Sequence, residues 1–248
     1  MTRFFIPADQ IAGKHVVLKG ADAHHLSKVL RNKVGDELIV LNGKGEEYRA
    51  VITALQNDAV QVELLEAIGR QAEASVRIHL VQGMPKGEKI EWILQKNTEL
   101  GVAGFQPVLT ERSTVRLDPA TRAKKHERWS KIIREAAEQS GRQILPELEP
   151  VREWRELLAR PFRPGLVLIP WEGERTRSLR EALNQPAETP EHITVLIGPE
   201  GGFSLAEVEQ AQEAGAIPVT LGPRILRTET AGLAVTAAIL YHYGELGG

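Results

Sequence analysis

A change of hydrophobic period near residue 75 constrains this chain more than any other feature. Upstream, Tyr48-Arg49-Ala50-Val51-Ile52-Thr53 and Val60-Gln61-Val62-Glu63-Leu64 alternate apolar and polar residues. That pattern buries one side of a segment only when its backbone is extended. Asn57-Asp58 between them reads as the turn joining antiparallel strands. With a further strand over His15 to Leu18 and one short helix over Ala21 to Leu30, residues 1–72 are expected to form a small β-barrel domain. Glu66 to Ser75 reads as a polar linker.

Downstream the pattern is different. Val76-Arg77-Ile78-His79-Leu80-Val81, Leu166 to Ile169, Ile193 to Ile197 and Ile217 to Leu221 are apolar runs separated by helical stretches, which predicts an α/β domain over 73–248. After the first run, Ile90, Ile93, Leu94 and Leu100 share a helix face, Lys89, Glu91, Lys96 and Glu99 fall mostly elsewhere, and Gly101 supplies the stop. Ser204-Leu205-Ala206-Glu207 has the spacing of a capping box, so a helix starts directly after Gly201-Gly202-Phe203.

Composition removes several function classes. With 248 residues and 42% hydrophobic content the chain can bury two cores. A formal net charge of -2 gives no global attraction to nucleic acid, so any such contact must be local. Cysteine is absent, which excludes disulfides, thiolate metal sites and sulfur nucleophiles. The seven histidines lack the H-E-x-x-H spacing, so no metal is expected, and the adjacent His24 and His25, pointing to different faces of a helix, suit surface placement better than chelation. No leader and no run of about eighteen apolar residues is present, so the expectation is a soluble cytoplasmic protein without membrane contact.

Two glycine-containing segments follow strand-like runs. In the first, Leu196-Ile197-Gly198-Pro199-Glu200-Gly201-Gly202-Phe203, the glycines fit either a tight strand-to-helix turn or a loop whose backbone approaches a ligand. It matches neither the dinucleotide nor the triphosphate fingerprint. The second, Leu221-Gly222-Pro223-Arg224-Ile225-Leu226-Arg227-Thr228-Glu229-Thr230-Ala231-Gly232, leads into the apolar run Leu233 to Leu240. It reads either as a helix start with a salt bridge or as a binding segment carrying Arg227 and Glu229.

Both segments resemble the hallmark motifs of the bacterial 16S ribosomal RNA uridine-N3 methyltransferases of the SPOUT superfamily. The resemblance extends to His24-His25-Leu26-Ser27-Lys28-Val29-Leu30-Arg31, Thr98-Glu99-Leu100-Gly101-Val102, Thr110-Glu111-Arg112-Ser113 and Glu135-Ala136-Ala137-Glu138-Gln139-Ser140-Gly141-Arg142, nearly the whole chain. It implies a PUA-like barrel followed by an α/β domain whose C-terminal part is threaded into a trefoil knot, which no periodicity would suggest. It also implies a homodimer, with the apolar C-terminal helix either at the interface or in the core. The implied cofactor is S-adenosylmethionine, bound by Leu196, Ile197, Gly198, Pro199, Glu200, Gly201, Gly202, Leu221, Gly222, Ile225, Leu226, Arg227, Thr228, Thr230 and Ala231. The implied substrate is a uridine of the decoding region near the 3′ end of 16S ribosomal RNA, in the assembled small subunit.

The chemistry of that reaction is informative. Methylation at pyrimidine carbon-5 generally uses a cysteine adduct, whereas N3 needs only to lose its proton, leaving negative charge on O2 and O4. Arg227 suits that charge, because guanidinium donates and cannot act as a base. Glu229, Glu200 or solvent would take the proton. For RNA, residues 112–142 hold nine cations, among them Arg112, Arg122, Lys124, Lys125 and Arg142, against four carboxylates. This is either a solvated face or a track for phosphates. Arg3, His24, Lys28 and Arg31 are candidates in the small domain. Related readings are a SPOUT enzyme acting on transfer RNA or a ribose 2′-oxygen, and a non-catalytic RNA-binding assembly factor.

Overall fold

The computed structural model describes residues 1–6, 10–56, 59–69 and 72–247. Asn57-Asp58, the expected turn, lies outside these residues. The chain divides into two compact units, one of 1–73 with 137–145, the other of 74–136 with 146–248.

In the first unit, β1 (Arg3–Phe5), β2 (Ile11–Ala12), β3 (His15–Lys19), β4 (Glu37–Leu41), β5 (Glu47–Leu55) and β6 (Ala59–Ala67) form a sheet of order β1-β4-β5-β6-β3-β2 among the described residues. All pairings are antiparallel except β1 with β4. Irregular register at Tyr48/Ala50 and Ile52/Ala54 bends β5, so the sheet curls round a core that includes Leu18, Leu38, Val40, Ile52 and Val62. The alternation seen in the sequence is thus the inside and outside of a curled sheet. The expected single helix is instead α1 (Gly20–His24) running into a π-helical turn, His25–Val29.

Glu73 corrects the reading of 66–75 as a plain linker. Its carboxylate accepts hydrogen bonds from the Arg142 guanidinium at 2.7 Å and from the Gln143 and Ile144 amides at 2.8 and 3.0 Å. Burial alone would raise the Glu73 carboxyl, but Arg142 and these amides outweigh it and hold it below the usual carboxylate range. Arg142, 4% exposed, is therefore a structural cation turned inward, not the RNA contact expected of it.

The second unit is built on parallel strands: β7 (Arg77–Gly83), β8 (Gly104–Leu109), β9 (Glu147–Leu148), β10 (Arg152–Glu153), β11 (Leu166–Pro170), β12 (His192–Ile197) and β13 (Ile217–Val219). Their order is β10-β8-β7-β12-β11-β13, with β9 also on β8. From β7 the chain steps outward to β8 on one side, while β12 lies on the other. That reversal leaves a crevice beyond the carboxyl ends of β7 and β12, where α/β sheets bind ligands.

Helices α2 (Lys89–Leu100), α3 (Pro119–Ser140), α4 (Trp154–Leu158), α5 (Leu179–Leu183), α6 (Leu205–Glu213) and α7 (Thr228–His242) complete the chain. α2 buries Ile90, Ile93 and Leu94 and ends on Gly101 at φ 108, a left-handed geometry that glycine adopts without strain. α6 begins with the Ser204/Glu207 capping box. α7 is apolar on most sides and buries Val235, Thr236, Ile239 and Leu240; Thr236 donates to the Asn97 side chain on α2 at 3.0 Å. Among the described residues no helix is long and apolar enough to cross a membrane.

His79 on β7 is enclosed beside His192, 3.2 Å between ring nitrogens. Burial first, then the charges of Arg163, His192 and Arg77, lowers it to about 4 from its usual 6.5. A depressed histidine favours the fold while neutral, so stability is full above about 6.5 and falls until about 4. At about 1.4 kcal/mol per pH unit, and discounted for the part of the ring that solvent still screens, the total is on the order of 2 kcal/mol. Chemical denaturation at stepped pH should show this acid loss, and His79→Gln should reduce the slope between those limits.

Candidate functional site

The two glycine segments come together at the crevice. A cavity of about 460 Å³ is lined by Ile197 to Phe203, by Ile225 to Thr228, and by Lys89, Pro170, Glu172 and Ala231. A second, of about 260 Å³, shares Pro170, Glu172, Ile225, Leu226 and Ala231 with it and adds Leu221 and Gly222. Most of the expected binding residues therefore line one or both hollows. Leu196 lies beneath them in the packed core, and Thr230 is exposed on the first turn of α7 without appearing in either lining.

Close packing makes the first loop. Gly202 adopts φ +66 and its amide donates to Pro199 O at 2.9 Å. A Cβ on Gly198 would sit 2.9 Å from the Gly202 carbonyl carbon, and one on Gly83, at the end of β7, 2.6 Å from Pro199 Cδ. Arg112 packs its stem along Gly201 and donates to Gly201 O at 2.8 Å. That exposed arginine, expected at RNA, thus holds the loop with one arm of its guanidinium.

Thr228 ties the second segment to the first. Its hydroxyl donates to Gly198 O at 2.6 Å and accepts from the Gln82 amide at 2.9 Å, which also reaches Gly83 O. Three separate parts of the chain, β7, the loop after β12 and the start of α7, meet at this hydroxyl.

Charge at the site centres on Lys89, which periodicity alone places away from the core face of its helix. Its ammonium donates to Glu200 Oε1 at 2.8 Å and stands 3.7 Å from Glu229 Oε2. The hydrogen bond to Glu200 and the charges of Glu200 and Glu229 raise it above the usual lysine range, against burial and the repulsion of Arg227. Glu200 also accepts from the Lys86 amide at 3.1 Å. Burial would raise the Glu200 carboxyl, but the Lys89 hydrogen bond, the two backbone amides and the Lys89 charge together hold it low. Glu229 Oε2 is buried and makes no hydrogen bond. Arg227 is exposed at the cavity lining as the residue before α7.

Comparison with known proteins agrees with this arrangement. Residues 72–240 match the family described as RNA methyltransferase domain, and residues 18–65 match the RNA methyltransferase PUA domain. Ribosomal RNA small subunit methyltransferase E of Bacillus subtilis is 36% identical over 90% of this chain and 89% of its own length. The chain belongs to the ribosomal RNA small subunit methyltransferase E family. A crystal structure of a member from Neisseria gonorrhoeae, bound to S-adenosyl methionine, has TM-score 0.86 and 35% identity, covering 98% of both chains. A putative methyltransferase from Legionella pneumophila, in complex with the bound cofactor SAM, has TM-score 0.87 and 32% identity, covering 97% of each. The fold is accordingly the SPOUT type of α/β methyltransferase domain behind a PUA domain.

Of the other expected RNA contacts, His24, Lys28, Arg31 and Lys124 are exposed and Lys125 is half-buried. Lys125 sits over the Trp129 ring at 5.7 Å. Arg3 is ion-paired with Glu47. Arg122 is spent on Glu153 at 2.6 Å and on the Leu117 and Val151 carbonyls.

Thr228→Val keeps the side-chain volume and deletes the hydroxyl, leaving the Gly198 carbonyl and the Gln82 amide short of a partner. Loss of a buried partner costs about 1–3 kcal/mol. Urea denaturation should show that decrease, whereas Thr230→Val, on the exposed side of the same turn, should leave stability within about 0.5 kcal/mol.

Proposed function

We propose that this chain is a ribosomal RNA small-subunit methyltransferase that transfers the methyl group of S-adenosylmethionine to N3 of one uridine in 16S ribosomal RNA. The observation that carries this reading is the single cavity shared by both glycine segments and walled by Lys89, Arg227 and Glu200. Its volume is within the range of small-molecule sites, about 300–1,000 Å³. Its lining suits the cofactor: apolar Pro170, Ile197 and Leu226 for flat heterocyclic surface, and the Glu172 and Glu200 carboxylates for a cationic centre. Gly198 to Gly202, Ile225 to Thr228 and Ala231 would hold it, with Leu221 and Gly222 at its outer end. When bound, S-adenosylmethionine supplies an electrophilic methyl carbon on a sulfonium.

The chain's own residues do the rest. Neutral uracil has no free lone pair at N3, so the proton must leave as the nitrogen attacks. Arg227 and Lys89 put two cations at the cavity to hold the charge that spreads onto O2 and O4. Of the two carboxylates in the lining, Glu200 is the one to which we assign the proton, which it passes on to solvent. Glu229 stands behind Lys89 and balances its charge. The absence of cysteine fits N3, which needs no covalent adduct.

The substrate is the assembled small subunit, at the decoding region near the 3′ end of its RNA. The enzyme acts in the cytoplasm as a homodimer. The chain path favours a knotted C-terminus: after β13, at the sheet edge, it returns through 220–227 so that α7 packs on α2 and on central β12 and β7. Exposed Tyr241, 73% accessible on α7, suits a subunit interface.

Methyl transfer from radiolabelled donor to purified small subunits tests the activity. Arg227→Ala should lower turnover by about 100-fold or more, the usual cost of losing one charge-stabilising donor. Calorimetry should still find donor binding, because Arg227 would hold the donor through its backbone, which the variant keeps, and mass spectrometry of the wild-type product should place the methyl on uridine N3. Label at another position, or turnover unaffected by the variant, rejects the assignment.

Lys124 and Lys125 carry the phosphate contact proposed for α3. Lys124→Gln with Lys125→Gln should weaken subunit binding and flatten its dependence on salt, while Arg122→Gln, already paired, should leave that slope unchanged.

A further inference from the structure

A third cavity, of about 220 Å³, lies in the second unit and shares no lining residue with the two hollows at the crevice. Its floor is one face of the sheet near the amino ends of the strands, away from the crevice at their carboxyl ends. Thr194 of β12, His79 of β7, Gly104 of β8 and Glu147 of β9 are neighbours in register, so they stand in one row across the sheet. Val81 and Gln106 pair two residues further on, on the same side of the pleat. Leu157 of α4 and Phe162, both packed with Val81 in one core cluster, form an apolar wall.

Polar groups on this floor are left without partners. Thr194 is 4% exposed, and its hydroxyl makes no hydrogen bond among the described residues. His79 shares Nε2 with His192 Nδ1 at 3.2 Å and keeps its own Nδ1, which borders the gap over Gly104: a Cβ there would stand 2.9 Å from it. Gln106 is buried and donates its amide hydrogens to Pro107 O at 2.9 Å and Pro150 O at 2.7 Å, which leaves its carbonyl oxygen as an acceptor. Buried polar groups are nearly always paired, so an open cluster of them beside an apolar wall is the pattern of a small-molecule site. The mouth is charged. Arg163 pairs with Glu147 at 2.7 Å and Arg152 with Glu149 at 2.9 Å, whereas exposed Arg160 has no ion pair among the described residues.

We propose that this cavity binds a free pyrimidine nucleoside monophosphate, with the base on the floor and the phosphate on Arg160. The volume lies below the about 300–1,000 Å³ of drug-sized sites, which suits a single ring better than a purine. The fixed carbonyl of Gln106 requires an N–H on that ring, which uracil N3 or cytosine N4 supplies and an aromatic carboxylate lacks. Thr194 and the His79 ring each accept or donate, and so meet the ring's carbonyl and nitrogen atoms. Glu147 and Glu149 repel a chain of phosphates at the mouth but leave one phosphate its arginine, which separates this ligand from RNA. The site goes beyond the proposed activity and does not rest on it.

Calorimetry of the full chain with uridine and cytidine monophosphates tests this in saturating S-adenosylhomocysteine, which fills the donor cavity and has no methyl to give. At least one of the two should bind, more tightly than adenosine monophosphate and more tightly than its own nucleoside. Thr194→Val keeps the side-chain volume and breaks no hydrogen bond within the protein, so urea stability should be unchanged while nucleotide and nucleoside both bind about tenfold more weakly. Arg160→Gln should weaken the nucleotide about tenfold and leave the nucleoside unaffected.

Absence of binding by either nucleotide, displacement of the nucleotide by S-adenosylhomocysteine, or wild-type affinity in Thr194→Val would each overturn the proposal. So would an oligouridine strand whose affinity falls with both variants as the mononucleotide's does, because the occupant would then be RNA. Should Thr194→Val unfold the chain, the comparison of nucleotide with nucleoside in Arg160→Gln decides the matter. Methyl transfer to small subunits enters none of these readouts, so the proposed activity stands or falls separately.

Discussion

One hydroxyl group organises the site. Thr228 accepts from Gln82 and donates to the Gly198 carbonyl, so the end of β7, the loop after β12 and the start of α7 share a buried hydrogen-bonded node. None of these pieces is near another in sequence, and each must be held against the entropy of an ordered loop. A buried carbonyl or amide without its partner is costly, which makes the joined arrangement strongly preferred over any in which one loop swings away. The glycines act with the threonine. Gly83 and Gly198 remove the Cβ atoms that would keep the strand end, Pro199 and Gly202 apart, and only at that close approach can Thr228 reach Gly198.

Around this neutral node the charges are arranged as a balanced set. Lys89 stands between Glu200 and Glu229, with Arg227 near enough to oppose its protonation and Glu172 across the lining. Two cations and three carboxylates in one region resemble the near-neutral whole chain in miniature. A charge developing in the cavity would meet groups already fixed by one another, so little reorganisation would be needed when it forms. Mutual pairing raises Lys89 above the usual lysine range and holds its ammonium at the cavity lining.

Much of this was legible in the residues, and the exceptions have physical causes. The period-two segments, the capped start of α6, the Gly101 stop and the apolar α7 are local patterns, and local sterics and hydrogen bonding set them. Both glycine segments could be recognised because their motif order is specific. Lys89 was not, because helix periodicity reports which side chains face the core and says nothing about what lies beyond a strand's end. Its position at the start of the helix that follows β7 was the usable signal. Gln82 was hidden likewise: a polar residue in an apolar strand looks like an interruption until Thr228, 146 residues later, arrives beside it. β1 is three residues long and carries no alternation to detect.

The basic segment shows the limit of counting charge along a chain. Nine cations against four acids in 112–142 suggest a strong electrostatic track. In three dimensions Arg142 is buried against Glu73, Arg128 lies between Glu88 and Glu91, Arg122 meets Glu153, Lys131 faces Glu135 and Arg112 supports the Gly201 loop. The partners of the first three cations lie outside the segment, so a local sum cannot register them. Counterion release follows only from cations that exchange water and small ions for phosphate. A guanidinium committed to a carboxylate must first lose that partner, and its contribution shrinks accordingly. The electrostatic footprint of α3 is therefore set by a few lysines rather than by the whole run.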